Sequence, residues 1–459
     1  IEDPRAVEPR LFGEPYTAQA LVPLQPVLGH VQTESHFLYS PATNRILPLH
    51  SRIADGHLVI GDCDTVELAD RYGTPLYVYD EAELEDECAS FARAIELGPD
   101  GSRGLYALKA FPSMAMAGLA FRAGLGILCA SGGEVAVAEA AGVPAEHRVL
   151  HGNNKSDREL GSAVGRIVVD SFDEIERLAS MGLDVDAWLR VAPGLDAGGH
   201  EFIRTGGVDT KFGIGLNQAV EAAKRLASLP NVRLAGLHAH MGSQVFGAEQ
   251  WIELAQLMLP LAREVAEATG SAIRELDLGG GFGIAYTQDD PPAAAPGEVA
   301  ARILEHWPAD LALVMEPGRA LVGRAGVSLH RIGTVKEIPG VRTYVAVDGG
   351  MSDNIRPALY GARYEFLLAN RADAAIEQSV RLVGKHCETG DILAHEARLP
   401  ANPRPGDLVA TLATGAYAWA MSSNYNQLPR PAVVFCREGR SRVVVRRETT
   451  DDLIRLHAP

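Results

Sequence analysis

The sequence predicts a (β/α)8 TIM-like barrel followed by a C-terminal antiparallel β-domain that strands near the N-terminus complete. Three observations predict it. Strand-like and helix-like runs alternate eight times over about 250 residues, the span such a barrel needs. Polar residues recur where these strands end, and in a barrel those ends converge on one face. Beyond residue 325 the alternation stops, and β-rich runs with Gly and Pro turns take over. A doubly wound open sheet is the alternative for the alternating part.

In chain order, residues 1–55 carry several prolines and no sustained period, which reads as an N-terminal extension. Residues 56–80 hold two strand-like runs, HLVIGD and TPLYVYD, around a helical VELADRYG, and these strands are expected to join the β-domain. The barrel is expected over residues 81–325. Its strands are GLYALKA, LGILCAS, RVLHGN, RIVVDS, AWLRVAP, LAGLHAHMG, ELDLGGG and LALVMEPG. Ala-, Glu- and Leu-rich stretches such as FDEIERLASMG and NQAVEAAKRLASL lie between them. Residues 326–459 supply the β-domain through VSLHRIGTVKEI, RTYVAVDGG, VRLVGKHCE, DLVATLAT, PAVVFCRE and RVVVRRE.

The 459 residues are 47 % hydrophobic and 22 % charged, a globular composition. A formal net charge of −17 argues against nucleic-acid and anionic-membrane partners, which need basic surfaces, but leaves room for a local basic pocket. Five scattered cysteines without CxxC spacing support neither a zinc site nor a disulfide framework, so a reducing cytoplasm is expected. No apolar run approaches the roughly 20 residues that span a bilayer. The acidic, Pro-bearing start does not read as a signal peptide.

Several residues can carry chemistry. Lys109 is a charge inside the apolar run LYALKAF; desolvated, it would be a nucleophile toward a carbonyl, and otherwise it snorkels to solvent. Gly279, Gly280 and Gly281 follow a strand directly, which suits either an anion cradle or a tight turn. No Rossmann fingerprint is completed there. His238 and His240 share one strand face and are either packed histidines or a weak metal pair. Ser243 ends the same run. Glu316 and Arg319 in EPGR are an internal ion pair, or an acid for a protonated nitrogen beside a clamp for carboxylate or phosphate. Cys387, beside Glu388, is a proton donor or a small buried thiol. Arg356, Tyr360 and Tyr417 stand out in two loops dense in polar groups.

The order of these motifs resembles the fold-type III pyridoxal-phosphate-dependent decarboxylases, and within them the branch that acts on diaminopimelate. The carrying motifs run from about Gly56 to Asp452: YALKA, ASGGE, HGNNKS, GVDTKFGI, GLHAHMGSQ, LDLGGGFGIAY, EPGRALV, MSDNIRPALYGARYE, GKHCETGD and ATGAYAWAMSSNYN. The resemblance implies pyridoxal 5'-phosphate on Lys109 through a Schiff base, with His240 stacked on its ring and Glu316 holding its nitrogen. It places Ser243, Gly280, Gly281, Arg319 and Tyr417 around the phosphate, with Pro317 and Gly318 of the same motif. Arg319, Arg356, Tyr360 and Tyr417 would engage the substrate, Glu388 its remote amine, and Cys387 would protonate the carbanion. No metal is expected.

The reaction implied is decarboxylation of meso-2,6-diaminopimelate to L-lysine, the last step of lysine biosynthesis. A homodimer is implied too, the Cys387 loop reaching a partner's barrel. Two positions depart from many relatives: Leu128 stands where Asp is common, and Phe111 where Asn is common. Rival readings are the same chemistry on ornithine, arginine or carboxynorspermidine, a non-catalytic pyridoxal-phosphate carrier, and a racemase.

Overall fold

The computed structural model describes residues 22–23, 45–195 and 210–458. Most of the N-terminal extension, and residues 207–209 of GVDTKFGI, lie outside the described residues. Eight parallel strands form the first layer: β1 (Arg103–Ala107), β2 (Gly126–Cys129), β3 (Arg148–Leu150), β4 (Arg166–Val169), β5 (Val185–Ala192), β6 (Val232–Ala239), β7 (Glu275–Asp277) and β8 (Ala312–Met315). Each pairs with the next, and β8 returns to β1 through Val314–Arg103 and Met315–Gly104. The ring is closed, which removes the open-sheet alternative. These are the eight runs read as strands.

The ring forms because its strands are apolar on both faces. Inward, Leu105, Ala107, Leu128, Val149, Val168, Trp188 and Val314 build one packed layer. Leu128 therefore belongs to the apolar filling of the barrel. Outward, the strands meet helices such as Phe172–Met181 and Leu216–Ala227. Serine starts four of the surrounding helices: Ser113, Ser131, Ser156 and Ser171 accept from the N–H groups of Met116, Glu134, Glu159 and Glu174. At the N-terminal end Glu275 accepts from Trp188 Nε1 at 2.6 Å, from Arg103 at 2.9 Å and from Arg166 at 3.0 Å. This lock leaves the opposite end free for chemistry.

The second unit is a ten-stranded sheet. The strand Leu76–Asp80 enters it between Gly326–Ile338 and Ala432–Arg437, as expected of the N-terminal strands. Two differences from the sequence reading stand out. The sheet is mixed: Leu76–Asp80 runs parallel to Ala432–Arg437, and Arg342–Val347 parallel to Ile376–Val383. The other strand, His57–Ile60, stays outside it in a three-stranded sheet with Ser51–Ala54 and Cys63–Asp64. Residue spacing within a strand reports which face is buried but not the direction of its neighbour, so parallel pairs were invisible in the pattern.

The two units meet at the C-terminal face of the barrel. Tyr417 N–H donates to the Ala110 carbonyl at 2.9 Å, and Gly415 N–H to Gly323 at 3.0 Å. Loops of the sheet are thereby fixed over the strand ends.

Candidate active site

A cavity of about 480 Å3 opens at this junction. The barrel lines it with Lys109, His240, Ser243, Gly280, Gly281, Glu316, Gly318 and Arg319. The β-domain adds Arg356, Tyr360 and Tyr417. Residues separated by 308 positions thus share one wall, as the barrel topology requires of strand ends. Among the described residues the cavity's lining carries five cationic side chains, Lys109, Arg190, Lys211, Arg319 and Arg356, against one acid, Glu316. In a chain of net charge −17 this is a local anion trap.

Strand β1 ends at Ala107, and Lys109 sits in the short 3-10 turn Leu108–Ala110 that follows. This corrects the reading of LYALKAF as one strand. The turn raises Lys109 off the apolar interior, so its side chain is exposed to the cavity instead of desolvated within a strand. The turn is fixed by Tyr106, whose hydroxyl accepts from Phe111 N–H at 3.1 Å, and by the Tyr417 contact. Tyr417 has φ 62°, a left-handed backbone uncommon for tyrosine, next to a cation contact with Arg319 at 4.8 Å.

His240 follows β6 immediately. Its Nδ1 accepts from the Gly280 N–H at 3.2 Å. Burial, then the Lys109 and Arg190 charges, hold its pKa well below the usual imidazole value, so the ring is neutral. The glycine run is a close-packed cradle. A Cβ on Gly280 would lie 2.2 Å from the Glu316 carbonyl oxygen, and one on Gly281 2.2 Å from that of Gly242.

Glu316 follows β8 and is 6 % exposed. His151 Nε2 approaches it at 2.8 Å and His238 Nε2 at 3.5 Å. Burial pushes the Glu316 carboxyl up, but the two imidazoles outweigh it and leave it well below the usual carboxylate range. Burial lowers His151 to about 4, so that ring is neutral near pH 7. Asp277, fully buried, is raised well above its ordinary value by burial and then by Glu316. Glu316 Oε1 nevertheless has no hydrogen bond of good geometry. A buried anionic oxygen in that condition awaits a donor. His151, His238, Asp277 and Glu316 also offer atoms within 4.8 Å of one another, a set compatible with a metal ion.

Glu316 and Arg319 form no ion pair, which corrects that alternative among the described residues. Arg319 turns to Ser243 Oγ at 2.9 Å and to the Tyr286 hydroxyl. Arg356, on the helix Arg356–Tyr360, donates to the Tyr364 hydroxyl. Three expected site residues lie off the cavity. Pro317 is buried and contributes its carbonyl to Ala107 N–H at 3.1 Å. Cys387 and Glu388 are exposed and absent from the cavity lining, which also removes the buried-thiol alternative. Their loop is nonetheless held: Asp391 accepts from His386 N–H at 2.9 Å and Met351 N–H at 2.7 Å.

Residues 81–323 match the pyridoxal binding domain of the pyridoxal-dependent decarboxylases. The chain is 44 % identical to the diaminopimelate decarboxylase of Bacillus subtilis (strain 168), across 88 % of this chain and 96 % of that one. It is 43 % identical to the Mycobacterium bovis enzyme of the same name, over 87 % and 95 %. The chain belongs to the diaminopimelate decarboxylase family.

Solved diaminopimelate decarboxylases share the fold. The one from M. jannaschi is 29 % identical with a TM-score of 0.82, over 89 % of this chain and 98 % of that one. The one from Helicobacter pylori, complexed with L-lysine, is 30 % identical with a TM-score of 0.77, over 85 % and 98 %. As a decarboxylase of this family the chain takes pyridoxal phosphate, and the residues present fit that group. A primary amine faces the cavity, a glycine cradle without room for side chains adjoins Ser243 and Arg319, and the orphaned Glu316 oxygen suits a protonated ring nitrogen.

Five residues of the site escaped the sequence reading: His151, Asp277, Arg190, Lys211 and Tyr286. His151 and Asp277 carry the signal already used for Glu316, a polar residue at a strand end, in RVLHGN and ELDLGGG. Arg190 lies inside an apolar strand, as Lys109 was expected to, and contacts the Phe212 ring at 4.5 Å. Tyr286 has no such signal, because an apolar loop with one tyrosine is ordinary core.

Proposed function

We infer that this chain catalyses pyridoxal-phosphate-dependent decarboxylation of meso-2,6-diaminopimelate to L-lysine and CO2, the last step of lysine biosynthesis. One observation carries the reading: a single cavity in which Lys109, the glycine cradle, anionic Glu316 and two guanidinium groups face one another. Bound pyridoxal phosphate supplies a conjugated ring that takes up the electron pair left by departing CO2.

The residues do the positioning. Lys109 is the covalent anchor. His240, neutral and braced by Gly280, would pack against the ring. Ser243, Gly280, Gly281, Arg319 and Tyr417 hold the phosphate, with Pro317 and Gly318 fixing the backbone between Glu316 and Arg319. Glu316 keeps a proton on the ring nitrogen. Arg356, Tyr360 and Arg319 take the substrate carboxylate remote from the reacting carbon, and Glu388 takes its remote amine. Cys387 delivers the proton that replaces CO2 on the α-carbon. A substrate such as ornithine, with no remote carboxylate, leaves the arginines unmatched.

Cys387 and Glu388 are exposed on a held loop and are absent from their own chain's cavity lining. A site that uses them needs a second copy, so the active unit is a homodimer with shared sites. The domains follow as an extension at 1–55, strands at 56–80, the cofactor barrel at 81–325 and the β-domain at 326–459. No helix among the described residues is long and apolar enough to cross a membrane. The chain's scattered free cysteines suit a reducing compartment, and we place the enzyme in the cytoplasm. The test is direct. Purified chain with pyridoxal phosphate and meso-diaminopimelate yields equimolar L-lysine and CO2; absence of lysine sinks the reading.

A further inference from the structure

We propose that Tyr286 is a positioning residue that sets the preference for a substrate with a second carboxylate. The inference rests on the decarboxylation reading above. Tyr286 ends the glycine-rich loop and is 6 % exposed, out of contact with the cavity itself. Its hydroxyl accepts from Arg319 Nη1. The Arg356 guanidinium lies 4.6 Å from its ring centroid. Tyr364 meets the ring edge-on at 5.2 Å and accepts from Arg356. Two buried cations are thus held together by two phenols, and among the described residues neither has a carboxylate partner.

Such an arrangement is unfavourable without compensation, since like charges repel and each guanidinium has lost water. The phenol oxygen and the negative face of the ring offset part of that cost. Burial works to raise the Tyr286 hydroxyl pKa, but Arg319 and Arg356 outweigh it and hold it below the usual phenol value, in keeping with an oxygen that serves as a partial counter-charge. The remaining demand faces the cavity. A carboxylate arriving there completes the pair, and an uncharged group in its place does not. Tyr286 also keeps Arg319 from swinging wholly to Ser243, 2.9 Å from its other Nη, so one arginine serves both the cofactor side and the substrate side.

The test uses the holoenzyme and the variant Tyr286→Phe, which keeps the ring and removes only the oxygen. Losing one hydrogen bond to a charged group, KM for meso-diaminopimelate rises about 10- to 100-fold while kcat changes little. Two competitive inhibitors separate positioning from bulk structure. The Ki of L-lysine, which retains the remote carboxylate, rises with KM. The Ki of 1,5-diaminopentane, which has no carboxylate, stays at its wild-type value. Tyr364→Phe gives the same pattern through Arg356 and decides the matter if the first variant does not fold. Equal weakening of both inhibitors, or an unchanged KM, overturns the proposal alone. A wild-type enzyme inert toward meso-diaminopimelate overturns the decarboxylation reading with it.

Discussion

Gly280→Ala places a methyl group 2.2 Å from the Glu316 carbonyl oxygen and 3.1 Å from its carbonyl carbon. Tolerated contacts of this kind stop near 3.0 Å, so the two chain segments must separate by about 0.8 Å. The obstacle is backbone, and no rotamer change relieves it. The segments are joined by Glu316 N–H to Gly279 at 2.9 Å and Leu278 N–H to Val314 at 3.0 Å, so the displacement carries Glu316 with it. Overpacking of this size costs about 1–3 kcal/mol. A shift near 1 Å in a catalytic group costs on the order of 10²-fold in rate. Thermal unfolding of the apoprotein, cofactor titration by visible absorbance and steady-state kcat measure the three consequences. We expect a melting point lower by a few degrees, weaker cofactor binding and a hundredfold loss of kcat. A variant with wild-type stability and wild-type cofactor affinity refutes the cradle.

Other outcomes follow from the same structure. Glu316→Gln keeps the volume and removes the charge, so the cofactor still binds but kcat falls on the order of 10²- to 10³-fold. Separately purified Lys109→Ala and Cys387→Ala chains are each inactive, and after mixing they recover about a quarter of wild-type activity if dimers are random and sites are shared. No recovery speaks against the shared site. Glu83, 1 % exposed, is raised by burial to about 7 despite Arg324 at 2.6 Å. Its folded-state pKa exceeds the unfolded value, so its contribution is full below about pH 4.5 and is lost as pH rises through 7. At about 1.36 kcal/mol per pKa unit, the rise from 4.5 to about 7 is a swing of a little over 3 kcal/mol. The melting-point difference between wild type and Glu83→Gln should shrink from pH 5 to pH 8; a constant difference contradicts this.

The barrel was legible because strands buried on both faces are largely apolar, and runs such as LGILCAS and LALVMEPG end abruptly in glycine or polar residues. Those same ends placed Glu316, His240 and the glycines in the cavity. What stayed hidden depends on distance in the chain. Arg356 and Tyr286 meet only because a sheet loop folds over a barrel loop. The 3-10 turn at Lys109 is hidden by its own apolar flanks, which suit a strand equally well. Cys387 illustrates the opposite limit: a motif can name a chemically suitable group, while only coordinates show that it is exposed and outside its own chain's cavity lining. The parallel pairing of Leu76–Asp80 with Ala432–Arg437 joins residues more than 350 positions apart, beyond the reach of any local pattern.

We propose Lys109 as the residue that carries the cofactor. Borohydride reduction of the holoenzyme, followed by proteolysis and mass spectrometry, locates the cofactor covalently. The added mass is expected on Lys109, with loss of both that mass and lysine formation in Lys109→Ala. Label on Lys211, the other cavity lysine, or a variant that still releases CO2 at the wild-type rate, contradicts it.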